Sequence, residues 1–176
     1  MRRGGRDTGR TVRARGLVAV PVTPLRLFLA DVRNQILVAE EALYVPRDLE
    51  STALPASVRL RGPRAIRRDV LLVELSESDD AITVLAGFGR RTEIRIHWTL
   101  EKLTAATGVE LAVEFRRRTV SVRAFLLLGG ARWLERRLKA ALRSLGEIAR
   151  LAAAAGALEE ADACHAALTA YALSAR

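Results

Sequence analysis

Residue types that build reactive sites are scarce in this sequence. Its 176 residues include one cysteine, one methionine and two histidines, and aromatic residues make up 5% of the chain. The lone Cys164 excludes an intramolecular disulfide framework and suits a reducing compartment, so we expect a cytoplasmic protein. Cys164 and His165 are neighbours on a predicted helix and cannot face one site together. With no nucleophile elbow, Walker loop or dinucleotide fingerprint either, we predict no catalytic residue, no metal site and no cofactor.

Long apolar runs are also absent. The longest is AFLLLGGA at residues 124–131, well short of the roughly 20 residues that cross a bilayer. The chain is therefore not predicted to be an integral membrane protein. Its first residues superficially resemble a secretion signal, but Pro21 and Pro24 interrupt the apolar part and patterned sequence follows.

Charged residues are abundant in the sequence, whereas the amide residues asparagine and glutamine are rare. Charged residues make up 28% of the chain, whereas Asn34 and Gln35 are its single asparagine and glutamine. This composition favours a protein from a thermophile, although a GC-rich genome would also enrich arginine and alanine. The net charge is +9.

The positive charge is concentrated at the start. Residues 1–15 contain three glycines and only one acid, Asp7, so we expect a flexible basic tail. Its six arginines are Arg2, Arg3, Arg6, Arg10, Arg13 and Arg15. Three interpretations stay open: a solubilising arm, contact with an anionic membrane surface or a protein partner, and binding of nucleic acid.

The next segment predicts a strand followed by a helix. Alternation predicts a strand over Val12–Val22, after which Thr23 offers an N-cap and Pro24 the first helical position. Residues at helical spacing form one apolar stripe: Leu25, Phe28, Leu29 and Val32. The following residues, 34–50, fit a second short helix or a strand equally well.

Five antiparallel strands are predicted after Pro55, joined by short connections. They are SVRLRG, RDVLLVEL, AITVLAGFG, RTEIRIHWTL and GVELAVEFRRR. Alternation in the last two predicts one apolar face and one polar face, so His97 should face solvent opposite Trp98. The residues assigned to the apolar face are Leu71, Val73, Ile82, Val84, Phe88, Ile94, Ile96, Trp98, Leu100, Val109, Leu111, Val113 and Phe115.

A long amphipathic helix is predicted over residues 122–155, about 45 Å at 1.5 Å per residue. Gly129 and Gly130 should kink it or mark its true start, and Gly156 should end it. One more helix should follow in residues 156–176. The apolar stripe is Leu127, Ala131, Leu134, Leu138, Leu142, Leu145, Ile148 and Leu151.

This order of elements resembles the START-like (SRPBCC) superfamily of lipid-transfer and polyketide-cyclase-like proteins. The resemblance is carried by VAVPVTPLRLFLADV, by IHWTLEKLTAATGVELAVEF and by LLLGGARWLERRLKAALRSLGEIARL, and covers residues 16–155. Within the superfamily the chain is most similar to the carbon monoxide dehydrogenase G-like branch. It departs after Asp31, where relatives commonly have a proline and a tryptophan.

The resemblance implies an α+β helix-grip fold, in which a curved antiparallel sheet wraps a long C-terminal helix around an apolar ligand. We therefore expect a non-enzymatic binder or carrier of a hydrophobic small molecule or lipid. The alternatives are an accessory protein that docks on an enzyme complex, nucleic-acid binding through the tail, and a cavity enzyme using Asp31 or Asp69. The expected ligand-binding residues are Phe28, Leu71, Val73, Val84, Phe88, Ile94, Ile96, Trp98, Leu111, Val113, Phe115, Leu127, Leu134 and Leu138.

Overall fold

A computed structural model describes residues 10–39, 44–45, 56–61, 67–78, 81–88, 92–117, 119–154 and 161–174. One antiparallel sheet and five helices account for nearly all of them. The strands are β1 (Arg10–Val18), β2 (Tyr44–Val45), β3 (Ala56–Arg61), β4 (Arg67–Glu77), β5 (Ala81–Phe88), β6 (Thr92–Lys102) and β7 (Thr107–Arg117). The helices are α1 (Val22–Ala30), α2 (Val32–Ala39), α3 (Val120–Phe125), α4 (Ala131–Ala154) and α5 (Ala161–Ser174).

The seven strands form a single sheet in the order β1-β7-β6-β5-β4-β3-β2. From β2 to β7, each strand pairs with the next one in the chain as an antiparallel neighbour. Strand β1 pairs with β7, so β1 and β2 form the two edges of the sheet. Irregular pairing between Leu72 and Glu74 and between Glu93 and Ile94 bends β4 and β6, as bulges do. The α+β class and the antiparallel sheet predicted from the sequence are confirmed.

The first strand begins earlier than the sequence suggested. Arg10, Arg13 and Arg15 were assigned to a flexible tail, but they lie in β1, which pairs with β7 along its whole length. Arg13 and Arg15 both form salt bridges with Glu110 on the neighbouring strand. The tail assignment was wrong from Arg10 onward because arginines alternate there with the buried residues Val12 and Ala14. Residues 1–9 lie outside the described residues.

The ambiguous segment after Asp31 contains both alternatives. Residues 32–39 form helix α2, and Tyr44 and Val45 form the short strand β2. Asp31 separates α1 from α2, and its carboxylate accepts a hydrogen bond of 2.8 Å from the Arg33 backbone N–H, as an N-cap does. The predicted cap on α1 was wrong: α1 begins at Val22 after Pro21, and Thr23 lies inside the helix.

The long C-terminal helix is interrupted near its start. Helix α3 is joined to α4 by a linking turn, Leu126–Gly130, in which Gly129 has a φ of 94°. Gly130 cannot carry a side chain, because a Cβ there would lie 2.5 Å from the carbonyl oxygen and ring of Phe125. The glycine pair therefore kinks the helical segment, as the sequence predicted.

Helix α4 buries one stripe and exposes arginines on its other side. The buried residues are Leu134, Leu138, Ala141, Leu142, Leu145, Ile148, Ala149 and Ala152. Two residues of the predicted stripe were wrong: Leu127 is 77% exposed because it precedes the kink, and Leu151 is 40% exposed. The last helix, α5, packs against α1, α2 and α4 through the buried Cys164, Leu168 and Ala172.

Candidate ligand-binding surface

The inner face of the sheet is mainly apolar along β5, β6 and β7. At its β4 end, Glu77 pairs with Ile82 and forms a salt bridge of 3.8 Å with Arg26 of α1. Alternation puts Ile94, Trp98 and Leu100 of β6 on this face, all at most 7% exposed. Their cross-strand partners on β7 are equally buried: Val109, Leu111 and Phe115. The predicted strand parity is confirmed for β6 and β7.

One row of this face is fully closed. Ile82, Trp98, Leu111 and Ala14 are cross-strand partners from β5 to β1, and each is at most 3% exposed. Helix α1 contacts β5 and β6, and its residues Leu25, Phe28 and Leu29 are completely buried. This end of the face is therefore a packed core.

The adjacent row is more accessible. Each residue of this row pairs with the next across neighbouring strands, from β4 to β1: Leu75, Val84, Ile96, Val113 and Val12. Val84 is 1% exposed, whereas its two cross-strand neighbours, Leu75 and Ile96, are only partly buried. An inward-facing isoleucine in the middle of a seven-stranded sheet would be fully buried if the helices covered that part of the face.

The position of α4 accounts for this difference. Its contacts with the sheet are mainly with β1 and, to a smaller extent, with β7. Gly16 of β1 lies against Leu142 of α4, and a Cβ at that position would be 3.6 Å from the leucine, an ordinary packing distance. Helix α4 therefore lies near one edge of the sheet, and the middle of the inner face, around Ile96, is covered less completely.

Two amides missed by the sequence analysis lie in the core beside Trp98. The Trp98 indole N–H donates a hydrogen bond of 2.9 Å to Gln35 Oε1, and Gln35 Nε2 donates one of 2.6 Å to the Leu29 carbonyl. Asn34 Nδ2 donates to the Phe28 carbonyl at 2.9 Å. Because Phe28 and Leu29 lie in the last turn of α1, these amides satisfy carbonyls that the helix itself leaves unpaired.

An aromatic cluster flanks the beginning of α4. The rings of Phe125 and Trp133 meet edge to face with centroids 6.1 Å apart, and the Arg137 guanidinium lies 5.5 Å from the Trp133 ring centroid. All three side chains are partly buried. The cluster combines an apolar wall with a cation.

The expected ligand-binding residues fall into four groups. Nine are buried: Phe28, Val84, Ile94, Trp98, Leu111, Val113, Phe115, Leu134 and Leu138. Ile96 is partly buried, and Leu127 is exposed and does not belong to the surface. The side chains of Leu71, Val73 and Phe88 lie outside the described residues. In β4, Leu72 is the buried residue that pairs with Ala86 on the inner face, and the sequence analysis missed it because the strand is irregular after it.

Two titratable side chains that could take part in acid-base chemistry, His97 and Asp31, are held by other polar groups. His97 is on the outer face, with Nδ1 3.0 Å from Thr83 Oγ1 and Nε2 3.6 Å from Glu114 Oε2, so its predicted outward orientation is confirmed. Asp31 binds the Arg33 guanidinium at 2.9 Å. Asp69 has a side chain outside the described residues. Burial raises the pKa of the Cys164 thiol above its ordinary value of 9.0.

Neither a metal cluster nor a membrane span is present in the described part of the chain. No group of three His, Cys, Asp or Glu side chains there could hold a metal ion. No described helix combines the length and apolarity required to cross a bilayer.

Solved structures share the arrangement of the sheet and the long helix. The Zhui aromatase/cyclase from Streptomyces sp. R1128 has a TM-score of 0.57 at 17% identity, covering 81% of this chain and 94% of that one. The KanY protein has a TM-score of 0.61 at 17% identity, covering 81% and 98%. A norcoclaurine synthase mutant from Thalictrum flavum, solved with a transition-state analogue, has a TM-score of 0.56 at 7% identity, covering 81% and 95%.

The fold is the helix-grip fold. Identities of 7% to 17% show the fold alone, so the resemblance to the START-like superfamily stays a prediction. No protein-family model and no curated protein matches the sequence. The resemblance to the carbon monoxide dehydrogenase G-like branch stays a prediction.

Proposed function

We propose that the protein binds and carries a hydrophobic small molecule or lipid on the inner face of its sheet, beside α4. The observation that carries the proposal is the partial exposure of Ile96 and Leu75 on either side of the buried Val84. Water molecules at this surface cannot hydrogen-bond to its aliphatic side chains, so their replacement by an apolar ligand is favourable. Transfer of each ligand methylene from water to this surface would contribute about 0.8 kcal/mol before ordering costs.

The chemistry of the described residues favours a binder over an enzyme. General acid-base catalysis needs a titratable group that reaches the ligand, but His97 faces outward and Asp31 is paired with Arg33. Glu77, at the β4 end of the inner face, is paired with Arg26 of α1. The polar groups beside Trp98 are amides that already bond to the Trp98 indole or to backbone carbonyls. Two fold neighbours are named as an aromatase/cyclase and a synthase, so small organic molecules are the ligand class to test first.

The test is to fill the accessible part of the inner face. Ile96→Phe adds an aromatic ring beside Val84, and Thr99→Phe adds the same ring to an exposed position of the same strand. Binding of an environment-sensitive apolar dye is measured by fluorescence titration, and folding of each variant by circular dichroism. We expect Ile96→Phe to weaken dye binding about ten-fold or more, and Thr99→Phe to leave it unchanged.

The proposal fails if a folded Ile96→Phe protein binds the dye like the unmodified chain. It also fails if the unmodified chain does not bind the dye at all. Should Ile96→Phe unfold, Leu75→Phe probes the same row from the other side of Val84, with the same expected loss of binding.

A further inference from the structure

The three most exposed large apolar side chains among the described residues lie within nine positions of one another. They are Val120 at 84%, Leu127 at 77% and Leu128 at 87% exposure. Val120, the exposed Ala124 and Leu127 are spaced by four and three residues, so they share one side of the helical segment. We call Val120, Ala124, Leu127 and Leu128 the apolar tip.

The backbone holds the apolar tip in solvent. Val122 and Leu126 occupy the opposite side of the same segment and are buried, which anchors it to the domain. Gly129, at a φ of 94°, turns the chain directly after Leu128, and Gly130 packs against Phe125 where no side chain would fit. The leucines therefore protrude because of the fold and not because the segment lacks contacts.

The stretch of chain that carries the apolar tip has charge of one sign. Residues 116–134 contain five arginines and no acidic residue. Arg123 is exposed and lies one helical turn from both Val120 and Leu127, and Arg132 is exposed in the first turn of α4. The next acid along the chain, Glu135, is bonded at 2.8 Å to Lys139, which lowers the pKa of that carboxyl group.

We propose that the apolar tip is a docking surface for an anionic lipid bilayer. Leucine and valine side chains would enter the acyl boundary, while Arg123 and Arg132 would contact lipid phosphates. A second copy of this chain fits less well, because a symmetric contact would bring the two sets of arginines together. Nucleic acid would use the arginines but would offer the protruding leucines no apolar environment.

The apolar tip is separate from the proposed ligand-binding surface. The tip lies on the solvent side of the segment whose opposite side is buried, so its substitution leaves the inner sheet face unchanged. A protein that carried a lipid would use such a contact to exchange its cargo, but membrane docking stands even if the inner face binds nothing.

The experiment is sedimentation of the full chain with vesicles of phosphatidylcholine, with or without phosphatidylserine. We expect binding to the vesicles that contain phosphatidylserine, and a loss of at least about ten-fold in the partition coefficient for Leu127→Ser/Leu128→Ser. The matched control is Leu17→Ser/Leu173→Ser, two exposed leucines on β1 and α5, which should bind like the unmodified chain. Arg123→Gln/Arg132→Gln should weaken binding more than Arg143→Gln/Arg150→Gln, which alters exposed arginines further along α4.

Three results would overturn the proposal. One is equal vesicle binding by the unmodified chain and Leu127→Ser/Leu128→Ser, which would assign binding to charge elsewhere. Another is a dimeric unmodified chain in light scattering together with a monomeric Leu127→Ser/Leu128→Ser variant, which would make the apolar tip a contact between copies. The third is binding to duplex nucleic acid with no sedimentation on either kind of vesicle.

Discussion

At the scale of single residues, Gln35 ties the N-terminal helices to the sheet. Its side chain accepts from Trp98 in β6 and donates to Leu29 at the end of α1, and it is 6% exposed. Replacing Gln35 should lower the stability of the fold, because both of its partners are buried and could not hydrogen-bond to water instead.

Gln35→Leu should therefore lower the free energy of unfolding by about 2 to 4 kcal/mol, roughly the cost of leaving the indole N–H and the Leu29 carbonyl unpaired. Urea denaturation followed by circular dichroism measures the change. Thr99→Ala, at an exposed position of β6, should change it by less than about 0.5 kcal/mol. An equally small change for Gln35→Leu would mean that the amide bonds contribute nothing net.

The sequence predicted Trp98 but not Gln35. Strict alternation in β6 and β7 separated the inward Trp98 from the outward His97, because strand parity is a local property. Gln35 carries no such signal: a glutamine is usually exposed, and its burial depends on two groups that are distant from it in the chain or lie on another helix.

At the scale of elements, the linking turn decides where the gripping helix begins. The glycine pair predicted a kink or a start, and the structure has α3 on one side and α4 on the other. Periodicity alone extended the stripe to Leu127, because it assumes a continuous helix. The irregular pairing in β4 likewise kept Leu72 from being predicted, since a bulge changes the parity of the residues after it.

Gly129→Ala should destabilise the protein by about 1 kcal/mol, since its φ of 94° is strained for any residue with a Cβ. Gly146→Ala is the control: Gly146 lies inside α4, nothing lies within 4 Å of its added Cβ, and alanine there should stabilise by about 0.5 to 1 kcal/mol. Thermal or urea unfolding of the two variants compares them directly. Stabilisation by both substitutions would contradict the kink.

At the scale of the whole molecule, the sheet and α4 enclose an apolar surface that the helices cover unevenly. The family resemblance in the order of elements predicted the helix-grip fold, and short connections between amphipathic strands predicted antiparallel neighbours. How completely the inner face is covered could not be predicted, since it depends on α4 packing at the β1 edge. The identity of the ligand could not be predicted from the sequence, because aliphatic side chains select a ligand by size and shape and not by specific hydrogen bonds.

The most direct measurement is native mass spectrometry of the protein freshly purified from cells, followed by organic extraction of whatever it carries. A carrier should retain a single apolar molecule per chain, released by extraction, and Ile96→Phe should retain less of it than Thr99→Phe. A spectrum of the bare chain alone, in a sample that also fails to take up an added fatty acid, would contradict the proposed function.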